Sequence, residues 1–350
     1  MKVEFCVSDD AVASEEDCRI LAVVTGHLAQ QVGVDFDAID EVLVATPDRF
    51  RELVVRFDPT GSYTNARGLV AAGKTIAHRK PGLAVTNSIL LQYGVAREIL
   101  DAPVKLGKNY DSWPAEQQRC HYVLFHELGH CLDHARRTEP TDDGTFRDAA
   151  GRRSVNRRLK EMCRYNYTML LSELAACAHA GFAYTDGIRQ LDCQMNDEFM
   201  TRQLSDVLRM TVETPHAIEQ ILDEAMGLSW FILFQHAKFS GAMIGNSELP
   251  RRSAADLWEI ARAVPQIAAI IDRVDHAMEK AWPDYPEFSD GLEQELSKAV
   301  VEIACICGYR FQDANGRDGI WWDRPTQRYC RERLDAQAKI ARAVTVSSPF

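Results

Sequence analysis

Residues 125–134, FHELGHCLDH, set three histidines and a glutamate among apolar neighbours, and no other stretch constrains the fold as much. Read as a helix, it has an apolar stripe of Leu124, Leu128, Cys131 and Leu132, so its back can be buried while its polar edge faces a cleft. His126 and His130 are four apart, about 40° from each other around the helix and one turn along it, and can offer two imidazoles to a single ion. Glu127 falls about 60° further round, beside such an ion rather than on it, where a carboxylate can take a proton from an activated water. Gly129 leaves room for a close neighbour. The plain alternative is a solvated helix face that happens to carry histidines. The apolar back argues instead for a zinc site.

A catalytic zinc of this kind takes a third protein ligand and keeps one position open. Glu173 is the strongest candidate. On a helix expected over 157–180, Met162, Asn166, Met169, Leu170, Glu173, Cys177 and Ala180 share one largely apolar face with a single carboxylate at its middle. A lone carboxylate there is unfavourable unless it is paired or bound to a metal, so pairing with an arginine is the competing expectation. Ala176 and Ala180 would let this helix approach the first one closely. Three other donors are weaker candidates. His134 lies two turns beyond His126, too far to share one tetrahedron. Cys177 can be a soft ligand but suits a buried free thiol. His179 points about 120° away from the direction of Glu173.

The remaining sequence reads as follows. Ser14 to Val32 is an amphipathic helix opened by a capping box, Ser14 with Asp17. Glu41 to Ala45 is a strand and Pro47 to Phe57 a short helix, followed by a loop, TGSYTNARG. LVAAGKTIAH and GLAVTNSILL are β-compatible and form a hairpin or neighbouring strands around Arg79 to Pro81. The motif helix runs from Pro114, at its first position, to about Arg137, and residues 138–154 form a polar loop. Beyond Asp192 the chain is mainly helical, with breaks near Thr214-Pro215, Gly245 to Pro250, Trp282 to Pro286 and Asn315 to Pro325.

Composition narrows the function classes. The formal charge of −11 argues against a non-specific nucleic-acid binder, since phosphate backbones select basic surfaces. LSWFILF, residues 228–234, is too short to span a bilayer. The acidic N-terminus offers no signal peptide, and ten scattered cysteines without a C-x-x-C pair suggest free thiols, so a cytoplasmic protein is expected.

His126-Glu127-Leu128-Gly129-His130, a polar loop, and then Glu173-Leu174-Ala175-Ala176 on a later helix resemble a gluzincin-type metallopeptidase, most of all the ImmA/IrrE-type group. That group carries H-E-[LI]-G-H followed by E-x-x-A-N, and Cys177 stands here where it has Asn. The resemblance covers residues 69–184. It implies one zinc ion held by His126, His130 and Glu173, Glu127 as general base, and a strand within Lys74 to His78 or Leu83 to Thr86 that aligns a peptide by β-addition. The fold then expected is α+β, with a zincin-like core of a small mixed sheet, the HExxH helix and a Glu-ligand helix. This core would lie in a domain of residues 1–190, before a mainly helical C-terminal region of residues 191–350.

The expected function is zinc-dependent hydrolysis of a polypeptide substrate. Tyr184 and His179 lead the candidates for a donor to the oxyanion, ahead of Tyr165, Tyr167, His216 and His236. The other function class is a protein-binding module with a structural or regulatory zinc, in which Trp230, Phe231, Phe234, Trp258, Trp282, Trp321 and Trp322 supply the contact surface.

Overall fold

KVEFC alternates charged and apolar residues, the pattern of a half-buried strand, and it forms β1 (Lys2–Cys6). The computed structural model describes residues 1–8, 13–57, 72–78, 82–101, 110–137, 155–214, 218–306, 310–312, 318–321 and 332. Helix α1 (Glu15–Val32) begins at Ser14, whose hydroxyl accepts from the Asp17 amide while the Asp17 carboxylate accepts from the Ser14 amide. This is the expected capping box, a device that contributes about 1 kcal/mol. The helix stops at Gly33, whose φ of 85° is left-handed and suits a residue without Cβ.

Strand β2 (Ile39–Ala45) is followed by α2 (Pro47–Phe57). Two further strands, β3 (Gly73–His78) and β4 (Thr86–Gln92), pair antiparallel with Thr75 opposite Ile89, so the two β-compatible pieces do become neighbouring strands. TGSYTNARG, the start of the first piece and Arg79 to Pro81 lie outside the described residues. β1 and β4 both run parallel to β2, with Val3 and Ile89 each opposite Val42. The order β1-β2-β4-β3 makes a small mixed sheet with β3 at one end. Two of its strands therefore lie upstream of residue 69, where the resemblance begins. Parallel strands need a crossover, and α1 lies in the connection between β1 and β2.

Alternation along β2 sorts the two faces. Leu43 and Ala45 join Leu90, Phe50 and Val54 in a buried cluster beneath α2. The other face receives α4 (Ala115–Arg136), which also packs on α1 and on a helix absent from the sequence reading, α3 (Tyr93–Asp101). Pro114 caps α4 and so precedes its first helical residue by one position. Residues 138–154, expected as a polar loop, are outside the described residues.

The rest is helical: α5 (Val155–Ala180), α6 (Asp186–Glu213), α7 (Ile218–Gly245), α8 (Ala254–Leu257), α9 (Glu259–Ala263), α10 (Pro265–Ala281) and α11 (Asp290–Ile306), with a two-stranded hairpin of β5 (Arg310–Gln312) and β6 (Asp318–Trp321). Contacts divide the chain into two compact units. The first comprises Met1–Pro140, Leu171–Leu191 and Lys238–Pro250, and it holds the sheet and the candidate site. The second comprises Thr141–Leu170, Asp192–Ala237 and Arg251–Phe350. Its α10 buries Ile267, Ile270, Ile271, Val274 and Met278 at helical spacing and packs on α11. Trp230, Phe234 and Trp258 are buried, and Trp282 stacks on Tyr285 at 4.8 Å, so these aromatics serve packing. Trp322 and the side chain of Trp321 lie outside the described residues. Among the described residues no helix is long and apolar enough to cross a membrane.

Candidate metal centre

Helices α4 and α5 meet at backbone distance. A Cβ added to Gly129 would overlap the carbonyl oxygen of Ala176 and stand 2.9 Å from its Cα, so only a bare backbone at 129 permits this approach. The close crossing brings three side chains from the two helices to one point. The Nε2 atoms of His126 and His130 are 3.1 Å apart. Glu173 Oε2 is 3.3 Å from His126 Nε2, and its Oε1 is 3.4 Å from His130 Nε2. The three donor atoms lie within 4.8 Å of one another, and among the described residues this is the only such group that can hold a metal ion.

Hydrogen bonds behind the rings decide which nitrogens face inward. The Ser172 hydroxyl donates to Asp133 Oδ2 at 2.9 Å, which leaves its oxygen to accept from His130 Nδ1–H at 3.1 Å. With its proton on Nδ1, His130 turns a lone pair on Nε2 toward Glu173 and His126. Asp133 is itself fixed by Arg137 Nε at 2.8 Å. On the other ring, His126 Nδ1 lies 3.3 Å from the Cys177 thiol, so its Nε2 also points inward. Ser172→Ala removes the link between His130 and Asp133 without touching a ligand. The expected result is metal affinity about 10–100-fold weaker by chelator competition, with a lower thermal midpoint because a buried acceptor and donor lose their partner at a cost of about 1–3 kcal/mol; equal affinity would show that the serine orients nothing.

Charge and burial converge on the carboxylate. Burial alone would raise the Glu173 carboxyl, but Lys238 beside it, with His126 and His130, holds it well below the ordinary carboxylate range. Burial likewise opposes a proton on His126, yet Cys177 and Glu173 outweigh it and raise that imidazole well above its usual value. A metal ion binding here must therefore displace a proton. Glu173 Oε2 is buried and has only long contacts, 3.3 Å to His126 Nε2 and 3.5 Å to the Lys238 ammonium, so a metal ion would give this oxygen a closer partner than either. Two imidazole nitrogens and this oxygen, aimed at one another, fit a metal ion.

Glu127, only 4% exposed, is not one of the three donors. Its Oε2 accepts a hydrogen bond from the Thr75 hydroxyl on β3 at 2.8 Å, and the same hydroxyl lies 3.0 Å from the Glu127 carbonyl oxygen. Gly73, two residues earlier on β3, makes the space: a Cβ there would sit 2.7 Å from Glu127 Oε1. The strand at the end of the sheet thus holds the carboxylate that lies between the two histidines in sequence.

The competing ligand candidates fall elsewhere. His134 Nδ1 is bonded to Asn87 Oδ1 on β4 at 2.8 Å and does not join the group. Cys177 meets the far nitrogen of His126 and so supports one member of the converging group. His179 is pushed down to about 4 by burial, with Arg136 adding to the effect, and is neutral near the end of α4. Tyr184 is buried with its ring 4.8 Å from that of Tyr122, which in turn is 6.2 Å from the His126 ring. His236 belongs to the other unit, where it meets Trp258 and Asp275. His216 and the side chain of Tyr165 lie outside the described residues, and Tyr167 is not among the metal-holding group.

Four contributors were not singled out from sequence: Asp133, Ser172, Thr75 and Lys238. Asp133 had a usable signal, a carboxylate three residues after His130 on the same helix, and Ser172 adjoins Glu173. Lys238 on α7 had none, since nothing local ties it to residue 173. No family model matches this chain, and no curated protein or solved structure matches it.

Proposed function

We propose that the chain is a zinc-dependent metallopeptidase, with a single zinc ion held by His126, His130 and Glu173 and with Glu127 as general base. The observation that carries this reading is the position of Glu127. Its carboxylate is buried and held at β3 by the Thr75 hydroxyl, it adjoins His126 in the motif, and it is not itself one of the converging donors. A purely structural zinc is enclosed by four protein donors, whereas a catalytic one has three and keeps a place for water. Three described donors converge here, and two histidines with a glutamate are a donor set that suits zinc.

Zinc bound there would polarise a substrate carbonyl and make water acidic enough to be a nucleophile near neutral pH. Glu127 accepts the proton of that water and returns it to the departing amine. Thr75 keeps the carboxylate directed for both transfers, because its hydroxyl occupies one oxygen and leaves the other available. β3 pairs only with β4 among the described residues, and its other edge is suited to an extended peptide that adds as a further strand. That edge and the proton acceptor are joined through one hydroxyl, which would fix the scissile bond relative to the base.

The test is metal removal and return. Protein stripped with phenanthroline is expected to lose cleavage of unfolded casein or of a peptide library, and to regain it with one equivalent of zinc. A fully loaded protein that cleaves nothing would instead favour a binding module whose metal serves structure.

A further inference from the structure

Lys238 belongs to no motif, yet its ammonium lies 3.5 Å from Glu173 Oε2. Its place is set by backbone packing. A Cβ on Gly241, three residues further along α7, would overlap the Leu174 carbonyl oxygen and approach Cys177 Cβ at 2.9 Å, and one on Gly245 would overlap the Ala178 carbonyl oxygen. Two glycines thus lay α7 against the Glu173-bearing end of α5, which keeps the backbone of Lys238 close to the carboxylate. The side chain of Lys238 is 36% exposed and that of Glu173 12%, so the lysine is the more exposed member of the pair.

A cation in this place works against simple metal retention, since an ammonium and a divalent ion on one carboxylate repel each other. The arrangement gains purpose when negative charge develops nearby on a substrate. We infer that Lys238 is a catalytic cation of this centre, donating a hydrogen bond to the carbonyl oxygen of the substrate as that oxygen becomes negative. This rests on the hydrolase reading above. As the water oxygen bonds to the carbonyl carbon, the C=O π pair moves onto oxygen and Glu127 takes the water proton. Lys238 steadies the negative oxygen through N–H donation and keeps its own proton. The pair then returns to re-form C=O, the C–N bond breaks, and Glu127 delivers the proton to the amine. Tyr184 and His179, the donors favoured from sequence, are respectively packed on Tyr122 and set near Arg136 at the end of α4.

The experiment compares Lys238→Met and Lys238→Arg with the full-length wild type in three measurements. Zinc affinity by chelator competition is expected to be unchanged or tighter in Lys238→Met. Acetate, titrated against the visible spectrum of the cobalt-substituted protein, is expected to bind about tenfold more weakly. Turnover of a cleaved peptide is expected to fall about 10²–10³-fold with KM little changed, and Lys238→Arg is expected to recover part of both losses. Loss of zinc in step with activity, together with wild-type acetate affinity at saturating cobalt, would overturn the inference and leave Lys238 as a counter-ion of Glu173. If wild type cleaves no peptide at all, the hydrolase reading fails, while the acetate titration still decides whether Lys238 meets anions at the metal.

Discussion

Glu127→Gln is expected to keep one metal ion per chain and to lose about 10²–10⁴ of its hydrolytic rate. The two outcomes separate because Glu127 is not one of the three converging donors. Glutamine has the same shape, so it fills the space opposite Gly73 and still offers an oxygen to the Thr75 hydroxyl. What it lacks is the basicity to accept a proton from water. Metal content by mass spectrometry and turnover of a fluorogenic peptide decide the matter. A glutamine variant that is fully loaded and as fast as wild type would end the assignment of Glu127 as base.

Glu173→Ala should weaken metal binding by more than the roughly 100-fold that loss of a supporting residue costs, and hydrolysis should disappear with it. Glu173 is the only carboxylate among the three donors, and it contributes an oxygen to each histidine pairing. Its removal also withdraws an anion from beside Lys238 and His126, a loss that costs stability, though less than for a fully buried pair because the lysine side chain is 36% exposed. The thermal midpoint should therefore fall as well. Glu173→Gln, which keeps the volume, separates the effect of charge from that of a cavity. Stoichiometric metal at wild-type affinity in the alanine variant would remove Glu173 from the ligand set.

These expectations differ in how far local sequence supports them. The spacing of His126 and His130 is enough to place two imidazoles on one side of a helix, because the rotation per residue is fixed by backbone hydrogen bonding. The start of α1 was equally legible, since both partners of its capping box lie within four residues. Glu173 could be picked out because a single carboxylate interrupts an apolar face. The partners of β1 could not be. Its alternation suits a strand, but parallel pairing with β2 is a choice among distant segments, made only when α1 packs and closes the connection.

Within the site the same division holds. The chain alone picked out three residues that can hold a metal ion, and the proposal of Glu127 as proton acceptor was drawn from it as well, for both rest on side-chain chemistry and helical period. Tertiary structure decided that Gly129 and Ala176 touch, that Ser172 passes a hydrogen bond from His130 to Asp133, that Thr75 holds Glu127, and that Lys238 stands at Glu173. Each of these joins atoms from different helices or strands across a few ångströms. Such distances depend on how whole elements pack against one another, and no local rule of spacing carries that information.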